Sequence, residues 1–155
     1  MRRRDLCAAG VAGPVVLSAE GESRVQPESP ACLKFRVHQG TFAVCRLDAA
    51  LPVPAWLPRD GWSTITRTPA ELSIVCEQSA VPDGISKQGG WRRIELAGPF
   101  GFSLTGILAS ILNPLAAAGV PIFAISTFDT DWILIPGEHL EKAKRALAAA
   151  GHNEI

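Results

Sequence analysis

The chain has 155 residues, 47% of them hydrophobic and 19% charged, and its 15 Lys and Arg balance 15 Asp and Glu. This supports one ordinary domain or two small units that share a core, and it is too apolar for a disordered polyelectrolyte. A zero charge balance argues against a general nucleic-acid binder, which needs excess Lys and Arg to displace counterions, and no apolar run reaches the roughly 18–20 residues of a membrane-spanning helix.

Residues 1–30 differ from the rest. Arg2-Arg3-Arg4 precedes a short apolar stretch from Leu6 to Leu17 and then a polar linker from Glu20 to Pro30. The outline is that of a secretory or twin-arginine signal, but Pro14 interrupts the stretch and Leu17-Ser18-Ala19 is a poor cleavage site. A disordered extension, or translated sequence upstream of the true start, is the preferred reading. The remainder reads as cytoplasmic. Its cysteines show no C-x-x-C spacing and its histidines no H-x-x-x-H, so neither a zinc site nor any other metal or cofactor is expected. Cys45 and Cys76 sit in apolar runs and read as buried small hydrophobes.

Leu33–Val37 and Thr41–Leu47 read as two strands around a turn at residues 38–40. Pro52, Pro54 and Pro58 leave room for only a short helix around Ala55-Trp56-Leu57. An internal repeat comes next. At an offset of sixty, Ile65-Thr-Arg-Thr-Pro-Ala-Glu71-Leu-Ser-Ile-Val75 faces Ile125-Ser-Thr-Phe-Asp-Thr-Asp131-Trp-Ile-Leu-Ile135. In both, an apolar strand meets a polar corner ending in an acid, and a second apolar strand returns.

The second copy is the more legible. Trp91–Ala97 reads as a strand, residues 98–103 as a turn, and Ser103 as a helix N-cap. Leu104, Ile107, Leu108, Ile111, Leu112 and Leu115 form one helical stripe, with Pro114 kinking its last turn and Gly119 ending it. Val120–Thr127 and Trp132–Ile135 read as a hairpin around the corner Phe128–Asp131, and Leu140, Ala143, Leu147 and Ala150 mark a second helix capped by Gly151. This is β-α-β-β-α with the last strand missing, where a ferredoxin-like unit needs one more. The spare N-terminal strand can fill that edge by strand exchange.

Gly98-Pro-Phe-Gly-Phe-Ser-Leu-Thr-Gly-Ile-Leu-Ala109 and Ile122-Phe-Ala-Ile-Ser-Thr-Phe-Asp-Thr-Asp-Trp-Ile-Leu-Ile135 together resemble the C-terminal ACT unit of small bacterial tandem-ACT proteins. Those are relatives of the aspartate kinase regulatory region and of the CASTOR arginine sensors. The resemblance is strong from about Trp91 to Gly151 and fainter from Cys32 to Gly90. It implies an α+β fold of two ferredoxin-like (βαββαβ) units in tandem, sheets side by side: an N-terminal degenerate unit over 31–90 and a C-terminal unit over 91–155.

The resemblance also implies a non-catalytic sensor that holds a small effector, usually an amino acid, between the two units. Carried onto this sequence, the ligand wall is Phe102, Ser103, Leu104, Thr105 and Gly106 at the helix start, and Ser126, Thr127, Phe128, Asp129 and Asp131 at the strand end and corner. Ser73 and Ile74 would face them from the first copy. These residue types suit an amino acid. A helix N-terminus docks a carboxylate without Arg or Lys, and the two aspartates can hold an ammonium or a cationic side chain. Two carboxylates with no base nearby favour arginine or lysine over a neutral ligand. The same residues also have plainer uses, Ser103 as a cap, Asp129 and Asp131 as solvated turn residues, and Phe102 and Phe128 as core. One ligand site per chain is expected, since Phe42-Ala-Val-Cys-Arg46 stands where a second helix-start motif would be, and a homodimer could bring two sites together across a twofold axis. The different-class alternative is a ligand-free interaction module that uses an exposed sheet edge. No G-x-S-x-G, H-E-x-x-H or Cys–His–Asn pattern supports an enzyme.

Overall fold

The computed structural model describes residues 32–155, so the reading of residues 1–30 lies outside it. Eight strands form one sheet, and two α-helices pack on it. The strands are β1 (Lys34–Val37), β2 (Phe42–Leu47), β3 (Thr64–Arg67), β4 (Leu72–Glu77), β5 (Lys87–Leu96), β6 (Phe123–Ser126), β7 (Asp131–Pro136) and β8 (Asn153–Glu154), with helices α1 (Ile107–Ala117) and α2 (Leu140–Ala149). Among the described residues no helix is long and apolar enough to cross a membrane.

β5 organises the sheet. Its first part pairs with β2, its last part with β1, and its other edge with β7. β1 and β2 therefore run in succession along one edge of β5. From β5 outward, β2 carries β4 and then β3, while β7 carries β6. The missing last strand is present after all. Residues 153–154 pair in parallel with β1, which is inserted between β8 and β5. The strand is two residues long, too short for any periodicity to reveal it. The sheets expected side by side are one continuous sheet, because β5 is long enough to serve both halves.

The two hairpins do correspond, at an offset of fifty-nine where the sequence suggested sixty. Thr64 corresponds to Phe123, Leu72 to Asp131 and Gln78 to Gly137, so β3, β4 and the 3-10 turn Gln78–Ala80 match β6, β7 and the 3-10 turn Gly137–His139 end for end. Both hairpins close alike. Thr68 N donates to Glu71 O at 2.9 Å, and Thr127 N to Thr130 O at 2.8 Å. The corner acid of the first copy, Glu71, thus corresponds to Thr130 and not to Asp131. A slip of one residue matters because it exchanges the two faces of a strand. Among the described residues the first half carries no α-helix. Residues 54–57 make only a turn where a short helix was expected, since the prolines remove helical donors.

Pleating divides the side chains. On the helix face, Phe35, Ile94, Leu96, Ile133 and Ile135 bury against Ile107, Ile111 and Leu115 of α1 and Ala143 and Leu147 of α2. A second cluster joins Ala43, Cys45, Leu72, Ile74 and Cys76 to Trp56, Leu57, Val81 and Ile85. Burial of this kind contributes about 25 cal/mol per Å² of apolar surface. The opposite, open face carries Phe42, Arg93, Glu95 and Trp132, with Trp62 folded over them from the β2–β3 loop.

Candidate functional site

The site is built at the junction of the loop after β5, the start of α1 and the β6–β7 corner. α1 starts later than the apolar stripe implies. Its N-cap is Gly106 in the left-handed conformation (φ 81°), with no side chain capping it. Ser103 is therefore not the cap, and Leu104, outside the helix, is 57% exposed. A left-handed backbone suits glycine, which has no Cβ to clash. The unpaired N–H groups of the first helical turn stay open to an anion.

The corner is locked to the loop. Phe100 N donates to Asp129 O at 2.8 Å, and the Thr130 hydroxyl donates to Leu96 O at 2.6 Å. Gly98 permits this approach, because a Cβ there would lie 2.6 Å from Asp129 O. The Ser126 hydroxyl donates to the Asp131 carboxylate, so that acid is held in place while Asp129 is exposed.

A cavity of about 300 Å³ lies between these parts. Phe102, Leu104 and Gly106 line it from the helix side, and Ser126, Thr127, Phe128, Asp129 and Asp131 from the corner. Ser103 and Thr105 are exposed and do not line it. Ser73 and Ile74 are not brought there either. They lie on β4, beyond β2 from β5, and Ile74 is fully buried in the second core cluster. Every lining residue belongs to the second half, so within one chain the cavity is not a between-unit site. Sequence reasoning passed over Phe100, Ile107, Leu108 and Thr130, which also line it; Thr130 could have been found from the matching position of Glu71 had the offset been read as fifty-nine. At the mouth, Phe102 and Phe128 are 80% and 77% exposed, with ring centroids 5.2 Å apart in an edge-to-face arrangement.

A second constellation was not foreseen. The Arg93 guanidinium carbon lies 4.6 Å from the ring centroid of Trp62, 4.7 Å from Phe42 and 5.0 Å from Trp132. Arg93 is 9% exposed, and its Nε and Nη1 have no hydrogen-bond partner among the described residues. Burial lowers its pKa, partly offset by Glu95 and Glu77. Glu95 itself is held by His38 Nε2 at 2.7 Å. Trp132, on β7, is one wall of this cage. No grouping of His, Cys, Asp and Glu among the described residues would hold a metal ion.

A family model described as ACT domain matches residues 86–149, which is β5 through α2. A second model, described as an N-terminal domain, matches residues 40–84. A crystal structure of an Agobacterium tumefaciens protein is 40% identical, covers 79% of this chain and 92% of its own, and superposes with a TM-score of 0.75. The chain belongs to the ACT-domain family. Within that family it is similar to the human cytosolic arginine sensor for mTORC1 subunit 1, at 47% identity over 47 residues. That match covers 30% of this ACT-domain chain and 14% of the sensor, so the chain spans about a seventh of the curated relative's length. The aspartate kinase of Clostridium acetobutylicum shares the fold, with a TM-score of 0.56 at 15% identity over 73% of this chain and 33% of that one.

Proposed function

We propose that this ACT-domain protein is a non-catalytic regulatory module that binds a small effector, an amino acid, in the cavity between the start of α1 and the β6–β7 corner. The observation that carries the reading is the juxtaposition of open helix-start N–H groups with the Asp129 and Asp131 carboxylates across one small cavity. The first end receives a carboxylate, the second an ammonium or a cationic side chain. The names of the arginine sensor and of aspartate kinase support an amino acid as the ligand class, with a cationic one favoured.

The fifty-nine-residue repeat supports a tandem of two ferredoxin-like units. The second unit, over 91–155, takes the last part of β5 with α1, β6, β7, α2 and β8, and the first, over 31–90, carries no α-helix among the described residues. The exposed Phe102 and Phe128 rings support a homodimer in which a second copy covers the cavity mouth, since apolar rings at such exposure mark an interaction surface. A ligand would act by its differential affinity for the covered and open arrangements.

The test is a thermal-shift screen of the full chain against the twenty amino acids. A ligand at a hundred times its dissociation constant adds about 2.7 kcal/mol, or roughly 5–10 °C for this size. One clear stabilising ligand whose effect vanishes in Asp131→Ala, with the fold intact, is the expected result. A flat screen of folded protein at millimolar ligand overturns the reading in favour of the edge-pairing interaction module.

A further inference from the structure

The corner that walls the first cavity has another cavity behind it. About 510 Å³ in volume, it lies on the open face of the sheet, and Asp129 and Thr130 line both. Its size is that of an ordinary small-molecule site. Arg36, Glu95 and Asp129 supply charge of both signs, and Ala97, Pro99 and Ile155 supply apolar surface between them.

The charges are not used up by one another. Arg36 and Glu95 are directly opposite in the β1–β5 register, where opposite charges on facing strands normally pair. Yet among the described residues no ion pair involves Arg36, and Glu95 Oε2 bonds His38 instead. Arg36 thus keeps its guanidinium fork for an outside carboxylate. Oε1 of Glu95 and the carboxylate of Asp129 remain as acceptors for an ammonium. The walls are fixed beforehand. Ala97 N donates to Lys34 O at 2.8 Å, Ile155 N to Phe35 O at 2.9 Å, and the Phe100 and Thr130 bonds hold the corner. A preformed site of this kind spends little on ordering.

We infer that this open-face cavity is a second small-molecule site, for a zwitterionic amino acid with an apolar side chain. Arg36 takes the carboxylate, Glu95 and Asp129 the ammonium, and Ala97, Pro99 and Ile155 the side chain. The inference does not rest on the reading of the first cavity.

The experiment tracks backbone amide chemical shifts of the full chain titrated with millimolar L-leucine. Two analogues run beside it, 4-methylpentanoate, which lacks the ammonium, and 3-methylbutylamine, which lacks the carboxylate. Leucine should shift Arg36, Glu95, Ala97 and Gly98 saturably, and each analogue should bind at least about tenfold more weakly for want of one charged contact. Arg36→Gln, at an exposed position, should abolish these shifts and leave the melting temperature unchanged; Glu95→Gln should weaken them. Absence of saturable shifts at these amides, equal binding by either analogue, or unchanged binding in Arg36→Gln overturns the assignment. Shifts confined to Gly106, Ser126 and Thr127 would report the first cavity and would equally overturn this one.

Discussion

His152 donates from Nε2 to the carbonyl of Ser110 at 2.9 Å. The carbonyl can only accept, so the proton sits on Nε2, and Nδ1 is left to accept from Leu33 N at 3.2 Å. Ser110 is the residue whose i+4 partner in α1 is Pro114, which has no N–H to give. The imidazole, 4% exposed, therefore serves the acceptor that the proline strands, and it ties α1 to the chain before β1.

His152→Ala should leave a buried N–H and a buried carbonyl without partners. The expected cost is about 2–4 kcal/mol, read as a lower midpoint in urea denaturation with an unchanged slope. A loss under about half a kilocalorie would mean that water replaces the ring.

Gly98→Ala should act on both cavities. Its Cβ would meet the Asp129 backbone oxygen at 2.6 Å and Thr130 Cβ at 3.0 Å, so the corner must retreat. Overpacking of this sort costs about 1–3 kcal/mol. Calorimetric titration of the variant should show weaker binding of any ligand that the wild-type chain holds at the corner. Intact affinity would show that the corner does not shape the site.

Removal of the buried cation should be harmless to stability. Arg93 has two donor atoms without hydrogen-bond partners among the described residues, and replacement of buried charged groups by apolar side chains of similar volume is often neutral or stabilising. Arg93→Met should melt at or above the wild-type temperature. Trp62→Ala, which strips the rings' contacts with Arg93, Phe42 and Trp132, should cost about 1–3 kcal/mol. The reverse order would mean that the guanidinium holds a partner in solution.

Stability should decline at high pH. Burial, with the neighbouring Cys45 as the next cause, pushes the Cys76 thiol from its ordinary 9.0 up to about 11. The folded state then binds the proton more tightly than the unfolded one. The contribution is whole below pH 9.0 and is lost as pH rises towards about 11, on the order of 2 kcal/mol. The chain has no tyrosine, so no phenol titrates in that window. Denaturation midpoints across the window should fall less steeply in Cys76→Ala; equal slopes would place the titration elsewhere.

The elements legible in the sequence were those that carry a long period. The stripe from Ile107 to Leu115 announced α1, and the alternation around Ile125 and Ile133 announced the second hairpin. The corner was legible because Phe128, Asp129 and Asp131 interrupt two apolar runs. The helix start was not, since Ser103 offers a good capping hydroxyl and only the left-handed backbone at Gly106 shows that it goes unused. The offset was misread by one because Ile65 against Ile125 and Glu71 against Asp131 match in type, while the Thr68 and Thr127 turns that fix the true register are completed by unlike residues, Pro69-Ala70-Glu71 in one and Phe128-Asp129-Thr130 in the other. The Arg93 cage draws on β2, β5, β7 and a loop, and Trp62 reaches it through tertiary contact alone. No local pattern encodes that.

β5 is one unbroken strand, from Lys87 beside β2 to Leu96 beside β1, and it joins the two ends of the sheet without a linker. Among the described residues, a sheet so built has no hinge at β5. The ends of the sheet cannot swing apart as rigid bodies without tearing a common strand, so an effector bound at the corner, as proposed, would act through sheet twist or shared melting. Amides on β2 and β7 should then lose protection together in hydrogen exchange, as one cooperative unit.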